Sequence, residues 1–214
     1  MTENAAAEQL GLPGILVVLS GPSGVGKTTV AQRLIAKGGY RRSVSVTTRP
    51  MRDGEVHGRD YHFVTRAEFE RMRDAGELME SAEVHGNFYG TPKQPLRDAV
   101  QAREVLLLVI DVKGGQQVQA RKLDAFLVFL VPPDRKELAR RLGERATEDN
   151  MQQTIRLNRA EIEMEAAREL YDEVIINKEL DACVDEVHQA IQHARKRLAE
   201  RKLAGETLYP GLGT

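Results

Sequence analysis

Cysteine is nearly missing. Cys183 stands alone among 214 residues, which excludes an internal disulfide framework and any zinc cluster built on cysteines. Such sparing use fits a reducing compartment, and the expected location is the cytoplasm. An excess of charge of one sign is also missing. Lys and Arg number 31 against 32 Asp and Glu, a net charge of −1, so no overall basic field would draw in nucleic acid. No apolar run approaches the length of a membrane span, so no membrane association is expected. Residues Met1 to Gly11 are polar and Ala-rich, without the basic start and apolar core of a signal peptide. His57, His62, His85, His188 and His193 show no metal-ligand spacing, and there is no internal repeat or low-complexity tract. What is present is 41% hydrophobic and 29% charged, a globular balance, at a length that suits one domain over residues 1–214.

The strongest signal is Gly21-Pro22-Ser23-Gly24-Val25-Gly26-Lys27-Thr28, which reads G-x-x-x-x-G-K-[ST], the phosphate-binding P-loop. The β-branched run Ile15 to Leu19 precedes it as a buried strand would. Thr29 to Ile35 follows with Val30, Ala31, Leu34 and Ile35 at helical spacing. In that context glycines let the backbone wrap a phosphate, and the helix N-terminus adds partial positive charge. Lys27 would bridge the β- and γ-phosphates of a triphosphate, and the Thr28 hydroxyl would ligate Mg²⁺.

Along the chain, residues 41–50 alternate with β-branched positions, predicting a strand that runs into a loop at Pro50. Tyr61 to Val64 is a short strand. Thr65-Arg66-Ala67-Glu68 is a capping box that opens a short helix with Phe69 and Met72 inward. Leu78 to Val84 and Asn87 to Thr91 read as two strands around His85-Gly86. Residues 41–91 thus form a small β-rich piece inserted into an α/β chain. Helix–strand alternation then resumes with a helix over 93–103 and the apolar strand Val105 to Ile110, which ends in Asp111. A helix is expected near Gln116 to Arg121, then the strand Ala125 to Val131. Asp134 caps a helix to Arg145, and a long charged helix reaches Leu170. A strand over Val174 to Ile176 leads into a last helix from Asp181 to Leu203. Its stripe of Leu180, Val184, Val187, Ile191, Ala194 and Leu198 would pack on the sheet. The pattern predicts an α/β fold with a parallel sheet flanked by helices.

With the P-loop, Ser45-Val46-Thr47-Thr48-Arg49-Pro50-x-Arg52-x-Gly54-Glu55, Gly58-x-Asp60-Tyr61-x-Phe63 and Gly86-Asn87-Phe88-Tyr89-Gly90-Thr91 in view, the chain resembles the guanylate kinases. The likeness runs from about Ile15 to Leu198. It implies a P-loop kinase with a parallel sheet core, a small β-rich insertion for GMP (residues 41–91) and a mobile helical lid (residues 140–160).

The resemblance assigns ATP to Gly21, Pro22, Ser23, Gly24, Val25, Gly26, Lys27, Thr28 and Thr29, with Asn177 near adenine. It assigns the GMP phosphate to Arg49, Arg52, Tyr61 and Tyr89, with Glu55 also in the GMP site. Guanine would meet Glu80, Ser45 and Thr91. N1–H and the 2-amino group are adjacent donors that one carboxylate accepts together, whereas adenine turns an acceptor toward it. Such a site discriminates strongly, because a wrong base strands buried polar groups. Asp111 resembles a Walker-B aspartate that holds Mg²⁺ with Thr28, directly or through water. Arg141, Arg145 and Arg156 match the lid arginines, which with Lys27 would serve catalysis. The chain departs from the family's pattern at Val109, usually acidic, at Ala146, usually Gly, and at Lys178, usually acidic.

The expected activity is MgATP plus GMP giving ADP plus GDP, by in-line phosphoryl transfer to a phosphate oxygen of GMP. Two alternatives stand beside it. A non-catalytic scaffold of this fold tends to lose the P-loop lysine and lid arginines, which are present here. A kinase for a phosphorylated sugar would not need Glu80, Ser45 and Thr91 together.

Overall fold

A computed structural model describes residues 11–84, 86–120, 124–143 and 150–209. Its centre is β1 (Ile15–Ser20), every residue of which is buried. The elements after it are α1 (Lys27–Lys37), β2 (Tyr40–Arg42), β3 (Val46–Thr47), β4 (His62–Phe63), α2 (Arg66–Asp74), β5 (Leu78–Val84), β6 (Asn87–Pro92) and α3 (Gln94–Gln101). Then come β7 (Val105–Val109), α4 (Val112–Ala120), β8 (Ala125–Val131), α5 (Arg135–Gly143), α6 (Asn150–Leu170), β9 (Glu173–Ile176) and α7 (Leu180–Leu203).

Five strands form a sheet in the order β2-β7-β1-β8-β9, and all its pairs are parallel. Leu16 aligns with Leu106 and Val18 with Leu108 on one side of β1, and Val17 with Phe126 on the other. Unbroken apolarity along β1, β7 and β8 follows from cover on both faces. Full burial of each such side chain contributes about 1.5–3 kcal/mol. The sheet runs outward from β1 in both directions, so β1's C-terminal end is a switch point, where a ligand crevice belongs. The P-loop sits there.

A second sheet, β4-β3-β6-β5, carries the acceptor side of the cavity. It packs on α2 through a small core of Val46, Phe69 and Leu78, with Phe69 stacked on Phe88 at 5.4 Å. The capping box forms as expected, with Thr65 Oγ1 accepting from the Glu68 amide at 3.2 Å. Helix α4 touches both β1 and β5 and so joins the two sheets.

The strand expected within 41–50 is two strands in two sheets. Tyr40–Arg42 pairs with β7 in the core, and Val46–Thr47 pairs with β4 and β6. The chain passes from one sheet to the other at residues 43–45, so the first residues of the expected insertion belong to the core sheet. The helix expected near Gln116 begins four residues earlier, at Val112, because Asp111 caps it by accepting from the Gly114 amide at 2.9 Å.

In α7, Val184, Val187, Ile191, Ala194 and Leu198 are buried against the sheet as the stripe predicts. Two further ties were not foreseen. Arg195, also buried, donates to the carbonyls of Pro13 and Arg103. The Tyr209 hydroxyl accepts from the Leu16 amide at 3.1 Å, fastening the end of the described chain to β1.

Candidate active site

The P-loop owes its shape to glycine. Gly21, Gly24 and Gly26 have φ of 146°, 82° and 102°, which side chains with a Cβ rarely adopt. A Cβ on Gly26 would lie 2.6 Å from Asn177 Nδ2, and one on Gly21 would run into the Leu130 carbonyl oxygen. Helix α1 starts at Lys27 with no side-chain cap, which leaves its first amides for an anion. Lys27 Nζ donates to the carbonyls of Gly21 at 2.7 Å and Pro22 at 3.0 Å, lying folded over the loop it serves.

A cavity of about 340 Å³ opens beside this loop, between the ends of the core strands and the second sheet. Lys27, Thr28 and Asp111 line it from the core, and Ser45, Tyr61, Glu80 and Tyr89 from the other side. Seven residues expected to act together, from six separate stretches of the sequence, therefore face one space. Glu80 is 4% exposed, and its Oε1 accepts from Thr91 Oγ1 at 2.5 Å. Thr91 itself is fully buried behind that carboxylate. Gly90 forms part of the wall, where a Cβ would press on Leu78, Glu80 and Phe69 at 2.9–3.1 Å.

Arg49, Arg52 and Glu55 do not line this cavity. Glu55 instead takes Arg49 in a bidentate pair, at 2.7 and 3.0 Å from Nη2, and also accepts from the Arg52 amide at 2.8 Å. Arg49 stands 5.6 Å from the ring centres of Tyr61 and of Phe63. The Arg49 hydrogen bond holds the Glu55 carboxyl below its ordinary range, and the same bond raises Arg49. Burial raises the Tyr61 hydroxyl. Glu55 is thus a partner of Arg49 rather than a cavity-lining group.

A second cleft, about 290 Å³, lies on the other side of the P-loop among Gly24, Gly26, Thr29, Arg141, Asn177 and Lys178. Asn177 is buried and donates from Nδ2 to the Val25 carbonyl at 2.7 Å. Arg141 donates to the Asn177 carbonyl at 3.1 Å and to Glu137 at 2.7 Å. Both residues hold the P-loop from behind as well as lining the cleft. Arg156 is exposed on α6 and lines neither of these two cavities. Arg145 lies outside the described residues, as does Ala146.

Residues unnamed beforehand also line the main cavity: Arg42, Ala82, Ile110 and Gly114, with Val109 where the resemblance leads one to expect an acid. Strand alternation signals that one of Arg41 and Arg42 faces inward without saying which. Among the described residues no cluster of three or more His, Cys, Asp or Glu could cage a metal, and no helix is long and apolar enough to cross a membrane.

Comparison with known proteins agrees with this geometry. The guanylate kinase family model matches residues 14–194. A guanylate kinase of Agrobacterium fabrum is 43% identical over 190 residues, covering 88% of this chain and 86% of that protein. One of Thermobifida fusca is 47% identical over 181 residues, covering 82% and 89%. The crystal structure of guanylate kinase from Anaplasma phagocytophilum superposes with a TM-score of 0.68 at 36% identity, covering 86% of this chain and 87% of that one. A family match over most of the chain, close relatives along nearly their whole length and a P-loop facing a buried carboxylate lead to one conclusion: the chain belongs to the guanylate kinase family.

Proposed function

We propose that this kinase transfers the γ-phosphoryl group of ATP to GMP, giving ADP and GDP, in the cytoplasm. The observation that carries the reading is the shared cavity, with Lys27 and Thr28 on one wall and the buried Glu80–Thr91 pair on the other. ATP lies along the P-loop and the second cleft, with its phosphates on the α1 amides. For Lys27 to reach them it must leave the carbonyls of Gly21 and Pro22. GMP sets guanine against Glu80, with N1–H and the 2-amino group donating to the carboxylate and Ser45 donating toward O6. Its phosphate meets Tyr61, Tyr89, Arg49 and Arg52, the GMP-binding part extending from about residue 43 to 92. Arg49 is already desolvated and oriented by Glu55, so little ordering is left to do when the anion arrives.

Phosphoryl transfer asks for positioning and charge stabilisation more than covalent chemistry. The acceptor oxygen belongs to an ionised phosphate, so no general base is needed. Arg141 adjoins the P-loop from α5 and, with Arg145 and Arg156 of the lid, offers cations to the charge that develops on the transferred group. Thr28 and Asp111 fit Mg²⁺, a hydroxyl and a carboxylate on one cavity wall with waters and phosphates to complete the shell; the ion neutralises phosphate charge when bound.

The scaffold alternative is disfavoured by Lys27, Thr28 and Arg141 in place around the loop, and the sugar-phosphate alternative by the buried Glu80–Thr91 pair. The deciding experiment is coupled ATP turnover with GMP, AMP, UMP and ribose phosphates. Turnover with GMP far above the others is expected, and none with Lys27→Ala. A preference for a ribose phosphate, or no turnover with any acceptor, overturns the reading.

A further inference from the structure

Arg42 ends β2 and lines the main cavity with Lys27, Tyr61, Glu80 and Tyr89. Its neighbour Arg41 closes on Glu104 at 2.6 Å, on the opposite face of the strand. Arg42 has no such partner: among the described residues, no hydrogen bond or ion pair holds its guanidinium. Its register partner on β7 is Leu107, and Val109 two residues on shares that face of the sheet, so the cavity end of β7 offers it no carboxylate. Asp111 beyond is engaged at the start of α4. Asp60, the carboxylate that its charge reaches, is already taken by the Val56 amide and Arg59, so this half-buried guanidinium keeps its donors for an arriving anion.

The position of its charge shows which part of a ligand it meets. Arg42 acts electrostatically on Tyr61 and on Asp60, favouring the ionised form of each. Tyr61 in turn lies against Arg49. The guanidinium therefore belongs to the clamp end of the cavity. A guanidinium only donates, so it matches phosphate oxygens.

We propose that Arg42 is a further phosphate-binding residue of the acceptor site, an additional cation that favours a nucleoside monophosphate over the bare nucleoside. The inference rests on the function proposed above and adds a residue to it. On this assignment Arg42 works beside Arg49 and Arg52 from the core sheet, while those two act from the loop after β3.

The test is calorimetry with GMP, and with guanosine by displacement of GMP, on the unmutated protein, Arg42→Gln and Arg42→Lys, after matching thermal melts confirm folding. Arg42→Gln should weaken GMP binding by about ten- to a hundred-fold, the range of a hydrogen bond to a charged group. Arg42→Lys should recover part of that loss. Guanosine affinity and ATP affinity measured without GMP should stay as they were, and the salt dependence of GMP binding should become shallower. Unchanged GMP affinity in Arg42→Gln overturns the assignment. So does an equal loss for guanosine, which would put Arg42 on the base or ribose, or a loss confined to ATP. If the unmutated protein itself fails to bind GMP, the proposed function falls and this inference with it. If it binds GMP and only the Arg42 result fails, the function stands.

Discussion

In the proposed function Glu80 carries the choice of base, and its surroundings limit how a substitution could be absorbed. Thr91 Oγ1 already donates to Oε1. In Glu80→Gln the single amide oxygen is the natural acceptor for that hydroxyl, so the new NH₂ turns toward the cavity and meets the N1–H or 2-amino group of guanine, donor against donor. An unpaired buried group costs roughly 1–3 kcal/mol, so kcat/KM for GMP should fall about ten-fold to a few hundred-fold. Inosine monophosphate lacks the 2-amino group and should lose less on mutation, and ATP binding should hardly move. Steady-state kinetics with both nucleotides decides it, and equal losses would remove Glu80 from the guanine site. At this scale much of the site was legible in the sequence, because Ser45, Tyr61, Glu80, Tyr89 and Asp111 sit in motifs that specify side chains one by one, and all five line the cavity. Pairings between charged groups were not legible. Arg49 and Glu55 are six residues apart in a loop, and nothing in residue type or spacing says that they close on each other rather than on a ligand. Arg42 was missed because alternation leaves the inward member of an Arg-Arg pair open.

Among the elements, the P-loop has little room for change at Gly26. Gly26→Ala combines a left-handed φ of 102° with a Cβ 2.6 Å from Asn177 Nδ2. Holding a non-glycine residue there costs about 1–3 kcal/mol, and relief by moving Asn177 would break its bond to Val25. The urea midpoint should drop and ATP affinity should fall together; an unaltered midpoint would show that the loop is looser than its contacts imply. Helix α5 has a pH-dependent tie. Hydrogen bonds from Arg140 and then Arg141 lower the Glu137 carboxyl from its ordinary 4.5 to about 2. A lowered folded-state value means that the contribution is present above about 4.5 and lost as pH falls toward about 2. The difference in urea midpoint between the protein and Glu137→Gln should narrow over that interval, and a constant difference would contradict the tie. Long apolar or strongly periodic elements, β1, β7, β8 and α7, were readable because one pattern covers the whole element. The stretch 41–48 was not, because local alternation looks alike in one strand and in two strands that serve different sheets.

For the whole molecule, the parallel sheet has the main hydrophobic core and the second sheet a small one of its own, and the single cysteine is sealed inside the main core. Cys183 is 1% exposed, and burial pushes its thiol up to about 11. A thiol reagent at pH 8 should label the native protein negligibly and the unfolded protein fully; rapid native labelling would mean that α7 does not stay packed on the sheet. The architecture also determines what can react with what. The P-loop at the end of β1 and the second sheet line one cavity, so in the proposed function the γ-phosphoryl group has a nucleotide phosphate to go to. The most direct measurement is product analysis after incubating the protein with ATP, Mg²⁺ and GMP. GDP and ADP should appear in equal amounts with negligible inorganic phosphate. ADP accompanied by inorganic phosphate in place of GDP, or ADP formed as fast without GMP, would contradict the account.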